Sequence, residues 1–588
     1  MLGPAMPDLL DTRRPRLLLT LFCLLLWTPG FFTISPGDRD ESRFAQATKQ
    51  MIETGDFVRI QNGAEARNRK PIGIHWLQVP FAAAAGALGL ATENPIWPYR
   101  IPSALGGLLA VLATFQAGQH LVGRRAALLA AGMLAASVVL VVEVHIAKTD
   151  AALLGATTVA MGMLARAYLD PAGLRAGGAA LFWLAMGAGI LLKGPITPMV
   201  AGLAALALVV ADRRAAWLRA LRPGWGVPLM LAVVLPWFVA IGVATGGRFF
   251  ADAVGGDLGR KLSSGDDAHW GPPGLHLLLL PLLVFPLSAL LPGGAAWAWR
   301  GRAAAPVRFL LAWIVPAWVV FEAVPTKLPH YPLPLYPAVC LLAAGWVLDH
   351  LRKALPRWAG SLAITLPIVA ALVLAGAGVA LPFILGQAAW IGVPALVAAL
   401  GVGWWAVRAG QPLLPLPPGE GRGEGGPAAP HDAKCQAGPA ITQGNPPGLP
   451  HPNPLPKGEG AVAALVASIM LYAAILGWEL PRLAPLWLAP RVVAALPGGG
   501  ALGAVGFAEP SLMFLAGTGT QWLLADEAPA ALVSGRIRTL LVGDRDLAAV
   551  RAGAERAGLR LEEVAAISGV NYSRGRRVVL TLLRLAPG

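Results

Sequence analysis

Charged residues of the kinds that do chemistry gather at a few places in an otherwise apolar chain. "GDRDESRF", residues 37–44, carries Asp40, Glu41 and Arg43 directly after the first long apolar run. "NRKP" brings Lys70, "HIAKTDA" brings Lys148 and Asp150, and "LLKGP" brings Lys193. The stretch 246–274 offers Arg260, Lys261 and His269, and "PTKLPHYPLPLYP" offers Lys327, His330 and Tyr331. Carboxylates can take protons and cations can hold anions. Ionisable groups near a bilayer mark a functional site by default. The competing reading is solvated loop charge. It explains any one of these residues, and it explains poorly why acids and bases cluster beside the ends of apolar runs.

The elements that position these groups follow from composition. Of 588 residues, 56% are hydrophobic and 13% charged, against about 25% charged in a soluble domain. Apolar runs of roughly twenty residues, enough to span a bilayer as a helix, recur along most of the chain. This is the pattern of an all-α polytopic membrane protein. The net charge is +15, and its Lys and Arg sit in short loops between apolar runs. That distribution orients a membrane protein. It lacks the basic stripe interleaved with aromatics that nucleic acid requires. Cys23, Cys340 and Cys435 are far apart and imply neither a disulfide framework nor a zinc site.

Arg13, Arg14 and Arg16 precede the apolar stretch Leu17–Phe32 without a small-x-small cleavage site after it. The expectation is an uncleaved first span with a cytoplasmic N-terminus. The segment 74–92 is broken by Pro80. If it crossed, the basic loop 123–125 would fall outside. Residues 35–98 therefore read as one external loop with membrane-hugging helices. Single spans are expected over 126–145 and 275–297, among about thirteen in all. On this count every group named above lies on the outer face. The domains expected are 1–410 in the membrane, a disordered cytoplasmic loop 411–460, a last span 461–480 and an extracytoplasmic α/β domain over 495–588.

Six stretches in order, "DESRFAQATKQMIETGDFVRI", "KPIGIHWLQ", "YRIPSALGG", "AKTDAAL", "KGP" and "KLPHYPLPLYPA", resemble the lipid-linked-sugar glycosyltransferases. That family includes the aminoarabinose transferases of lipid A and is related to the protein O-mannosyltransferases. The resemblance runs from residue 16 to about 350. It implies the GT-C fold, a polyprenyl (undecaprenyl) phosphate sugar as donor, and an acceptor in the envelope: lipid A or core sugar, another glycan, or protein. It places the reaction on the periplasmic side of a bacterial inner membrane. Asp40 matches the acid that serves as general base, with Glu41 beside it and Asp150 as the second external acid. Lys70, Arg260 and Tyr331 match positions that contact the lipid phosphate, and Arg43 and Arg100 join that phosphate-facing set. The aminoarabinose transferases carry an acid before the "KP" lysine that helps hold a metal. Here Arg69 stands there, with Gly255 or a neighbour near the place of the partner histidine, so no metal or other cofactor is assigned. The rival reading, a lipid or sugar transporter or flippase, predicts two similar halves with interrupted helices, and the sequence shows no second copy of its first half.

"PLPPGEG" at 415–421 recurs as "PLPKGEG" at 454–460 in a Pro- and Gly-dominated stretch that cannot bury a core. Toward the end, "TLLVG" and "RRVVLTLLRL" read as strands and "DRDLAAVRAGAERAG" as an amphipathic helix.

Overall fold

Helix α1, Pro15–Trp27, opens the membrane-embedded part with proline at its first position, where the missing N–H costs nothing. A computed structural model describes residues 9–90, 94–258, 270–349, 357–410, 459–498 and 500–586. Arg260, Lys261, His269, Cys435 and the repeat segment 411–458 lie outside the described residues.

Between α1 and the next long helix come α2, Asp40–Thr54, a small hairpin of β1, Gln61–Asn62, with β2, Glu65–Ala66, and α3, Gly73–Ala87. Helix α2 ends at Gly55, whose φ of 71° is the left-handed cap that glycine adopts without strain. Helix α3 has 15 residues, about 22 Å of length, short of a 30 Å hydrocarbon core. Then follow α4, Trp97–Leu121, α5, Arg124–Ala136, α6, Val138–Val144, α7, Asp150–Leu169, α8, Ala176–Lys193, α9, Ile196–Asp212, and α10, Pro223–Thr245. Further apolar helices run over Ala305–Ala323, Arg357–Ile384, Ala389–Ala409 and Gly460–Arg482.

Among the described residues eight helices are long and apolar enough to cross a bilayer, or nine if α5 and α6 form one span bent by 59°. Shorter apolar helices cover Pro15–Trp27, Ile196–Asp212 and Leu333–Leu348. Two expected single spans are broken. The 126–145 span bends at Ser137, which is extended (φ −63°, ψ 134°) and turns its hydroxyl back onto the Leu134 carbonyl. The 275–297 span is split into Leu275–Leu283 and Leu291–Gly301 around a 3-10 turn, Leu287–Leu290. Hydropathy shows an apolar run and not its interruption.

Helices α4 and α7 touch backbone to backbone. A Cβ on Gly155 would stand 2.7 Å from the Gly106 carbonyl. Small residues here let the helices approach as membrane helices do when no water drives them together.

The C-terminal domain is a five-stranded sheet in the order β4-β3-β5-β7-β6. The strands are β3, Leu502–Val505, β4, Gln521–Trp522, β5, Thr539–Gly543, β6, Leu561–Asn571, and β7, Arg576–Leu585. Strands β3, β4 and β5 are parallel, while β7 runs antiparallel to both its neighbours. "TLLVG" is β5 and is buried throughout, as a central strand should be. The domain packs along α2. Gln46 donates to the Thr518 hydroxyl at 2.8 Å, Lys49 donates to the Phe514 carbonyl at 3.2 Å, and Tyr99 meets the Phe514 ring edge-on at 5.3 Å.

Candidate functional site

The turn before α2 fixes where its acids stand. Arg39 has φ 63° and ψ −109°, a conformation that suits glycine and costs other residues about 1–3 kcal/mol. Asp40 is the first residue of the helix, at the positive end of its dipole. Its side chain is 61% exposed, with Oδ1 at 3.8 Å from Arg67 and 4.0 Å from Arg43. Arg67 in turn lies 4.3 Å above the Phe44 ring. The carboxylate is thus loosely held between two guanidinium groups and open to a ligand.

Glu41 and Arg100 do something else. The Arg100 guanidinium donates to both Glu41 oxygens at 2.8 and 3.1 Å, and to the carbonyls of Phe31, Ile34 and Ser35. These five bonds use all five of its N–H groups. Glu41 also accepts from the Gly37 and Ala147 amides at 2.7 and 3.0 Å. Both side chains are buried, 1% and 5% exposed. Arg100, expected to face the phosphate, has every N–H engaged inside the fold, and Glu41, expected to hold the orientation of Asp40, is locked beside it. Their bonding capacity is spent on tying α2 to α4 and to the turn after α6.

Asp38, just ahead, is bonded by Ser511 and Tyr572 of the C-terminal domain. Burial raises its pKa to about 6, and the charge of Glu509 pushes the same way against Ser511, Tyr572 and Arg39. An acid whose folded pKa is raised stabilises the contact fully only below its ordinary pKa. Domain docking is expected to weaken as pH climbs from about 4 to about 6 and to level off above. Limited proteolysis across this range should show the slope in the native chain and none in Asp38→Asn.

A second cluster joins α6, α7, α8 and the loop before Leu333. Lys193 Nζ lies 2.5 Å from Asp150 Oδ1, and Lys148 Nζ stands 3.0 Å from Glu143 and 3.7 Å from Asp150. Burial alone would lower the Lys148 pKa, but the Glu143 and Asp150 carboxylates outweigh it and hold the ammonium. His330 is 3.6 Å from both Glu143 and Asp150. Burial pushes its pKa down to about 3, so at neutral pH it is an uncharged imidazole. Lys193 also sits 5.2 Å over the Tyr331 ring.

These groups line two adjoining cavities. The polar one, about 400 Å³, is walled by Asp40, Arg43, Arg67, Lys148 and His330 among others. The apolar one, about 380 Å³, is walled by Phe238, Phe249, Phe250, Phe321 and neighbours. Arg69, Lys70, Asp150, Lys193 and Tyr331 line both. The structure thus brings Asp40, Arg43, Lys70, Asp150 and Tyr331 to one place. Arg260 lies outside the described residues. Among the described residues no group of three His, Cys, Asp or Glu side chains is placed to hold a metal ion, and Arg69 on the shared wall offers no lone pair to one.

Sequence reasoning missed Arg67 and Glu143 altogether, and named Lys148, Lys193 and His330 without giving them a role. Glu143 had a readable signal: it is the one acid inside "VVLVVEV", where a charge needs a partner.

Comparison with known proteins gives the same direction. The dolichyl-phosphate-mannose-protein mannosyltransferase family matches residues 70–239. An undecaprenyl phosphate-alpha-4-amino-4-deoxy-L-arabinose arabinosyl transferase of Pseudomonas paraeruginosa is 30% identical over 356 residues, 58% of this chain and 61% of that protein. Its counterpart in Pectobacterium carotovorum is 27% identical over 343 residues, 56% of this chain and 58% of that protein. The chain thus aligns with about three fifths of the length of these relatives. In structure, ArnT from Cupriavidus metallidurans bound to undecaprenyl phosphate superposes with a TM-score of 0.71 at 20% identity, over 96% of this chain and 97% of that one. The chain therefore has the GT-C fold of ArnT and resembles, in sequence and in structure, the membrane glycosyltransferases that draw on polyprenyl-phosphate sugars.

Proposed function

We propose that the chain transfers a sugar from a polyprenyl-phosphate donor to an envelope acceptor hydroxyl on the periplasmic face of a bacterial inner membrane. The observation that carries this reading is the wall shared by the two cavities. An apolar space suits a polyprenyl tail. The cations Arg69, Lys70 and Lys193 stand where that space meets the polar one, as the phosphate of a lipid joins an apolar tail to a polar group. Asp40 lines the polar side, where an acceptor would enter.

In this reading Asp40 takes the proton of the acceptor hydroxyl. The freed oxygen attacks the anomeric carbon, and the bond from that carbon to the phosphate oxygen breaks. The departing phosphate is held by Lys70 and Lys193 with Tyr331 beside them. Asp150 orients Lys193 and Lys148. The acceptor is lipid A or core sugar, another glycan, or protein. About thirteen spans, with the broken pairs counted as crossings, leave the N-terminus in the cytoplasm and the C-terminal domain in the periplasm.

The test is donor binding by the purified protein with a polyprenyl phosphate. Lys70→Ala should lose a charge-assisted bond, about 1.5–3 kcal/mol, and so weaken binding about ten-fold or more. Arg551→Ala, an exposed residue of the C-terminal domain paired with Glu563, should bind as the native chain does. Equal losses in both variants would reduce Lys70 to nonspecific surface charge.

A further inference from the structure

The acid at position 40 hangs on a turn that the membrane-embedded helices do not hold alone. Ser511, at the start of the helix Pro510–Ala516, donates its hydroxyl proton to Asp38 Oδ1. The Asp38 amide donates to the Tyr572 hydroxyl at 2.5 Å. The Arg39 guanidinium donates to the Ser573 carbonyl. Tyr572 and Ser573 belong to the turn between β6 and β7. That turn is itself braced: Asn571, 1% exposed, donates to Glu509 at 2.8 Å.

The gripped residues are the two before Asp40, and one of them is Arg39 in its strained conformation. Such a conformation persists only where the surroundings over-determine it. On the membrane side the Glu41 pair holds the following residue. On the outer side the three contacts above do the holding. Misplacing a reacting group by about 1 Å can cost roughly 10²-fold in rate.

We propose that the C-terminal domain is a working part of the site, with Ser511, Tyr572 and the Ser573 carbonyl as positioning groups that hold the 38–39 turn and so aim Asp40 into the polar cavity. This rests on Asp40 being the base of the proposed transfer. The grip itself can be tested without that premise.

The test uses the full-length protein and the variants Tyr572→Phe and Ser511→Ala, singly and together, with Arg551→Ala as control. Tyr572→Phe removes one hydroxyl and leaves the ring. Hydrogen exchange of the amides over 38–43 should speed up about ten-fold in the double variant, since these bonds no longer restrain the turn. Transfer should lose kcat by about ten-fold or more, with donor Kd unchanged. Unchanged exchange over 38–43 overturns the proposal, as does a native kcat in the double variant of a chain that transfers sugar. A parallel loss of donor affinity also overturns it, because the domain would then act on the whole fold. If the native chain transfers no sugar, the functional reading falls, and the exchange result still decides whether the domain grips the turn.

Discussion

Asp40→Asn is expected to cut sugar transfer by about 10²–10⁴-fold, the usual contribution of a general base, and to leave donor binding intact. The geometry gives the reason. Among the acids of the site, Glu41 accepts four hydrogen bonds and is buried. Asp150 is held by Lys193 at 2.5 Å with Lys148 beside it. Asp40 has two guanidinium neighbours no closer than 3.8 Å and an exposed carboxylate. It can receive a hydroxyl proton without breaking a strong bond. Asparagine keeps the shape and loses the basic oxygen. Turnover of Asp40→Asn near the native rate, assayed with a polyprenyl-phosphate sugar and an envelope extract as acceptor, would remove Asp40 from the reaction.

Arg100→Ala should fail in a different way. Removing one partner of a buried ion pair leaves the other charged and unsatisfied, at a cost of about 3–5 kcal/mol. Three carbonyls, those of Phe31, Ile34 and Ser35, would lose their donor as well. The expected result is a large fall in thermal stability and in folded yield, with activity lost in proportion. Glu41→Ala alone should behave likewise. The double variant should lose less than the sum of the two, because no orphan charge remains. A stable Arg100→Ala protein with weakened donor binding would instead return Arg100 to the phosphate-facing set.

The contrast between these residues shows what the sequence could and could not tell. Asp40, Lys70, Asp150 and Tyr331 were legible because they stand in short ordered motifs beside apolar runs, and the cavity gathers all four. Arg100 and Glu41 were legible as charges but not as a pair, since 59 residues separate them and no local period links such positions. Glu143 is lost when hydropathy is averaged over its run, although a lone acid in "VVLVVEV" is itself the signal of a buried partner. The breaks near Ser137 and Pro286 were hidden for the same reason. In the C-terminal domain the strongly patterned strands β5 and β7 and the helix Leu547–Arg556 could be read. The contact of that domain with residues 38–39 could not, because it joins positions over 400 apart through single hydroxyls and a carbonyl.

The shared wall has one further consequence, for the pace of the cycle. Under the proposed transfer, the donor arrives as a phosphodiester with one negative charge. The carrier left behind is a phosphomonoester, with about 1.5–2 charges at neutral pH. Arg69, Lys70 and Lys193 face both species from the same wall. They therefore hold the spent carrier more tightly than the fresh one. Chemistry is favoured by that gain, and exit is slowed by it. Product release limits many well-evolved enzymes, and under the proposed transfer the expected slow step is the return of the more highly charged lipid headgroup to the bilayer surface. Throughput then depends on how readily that headgroup leaves the cationic wall, and less on how fast the bond to the sugar breaks.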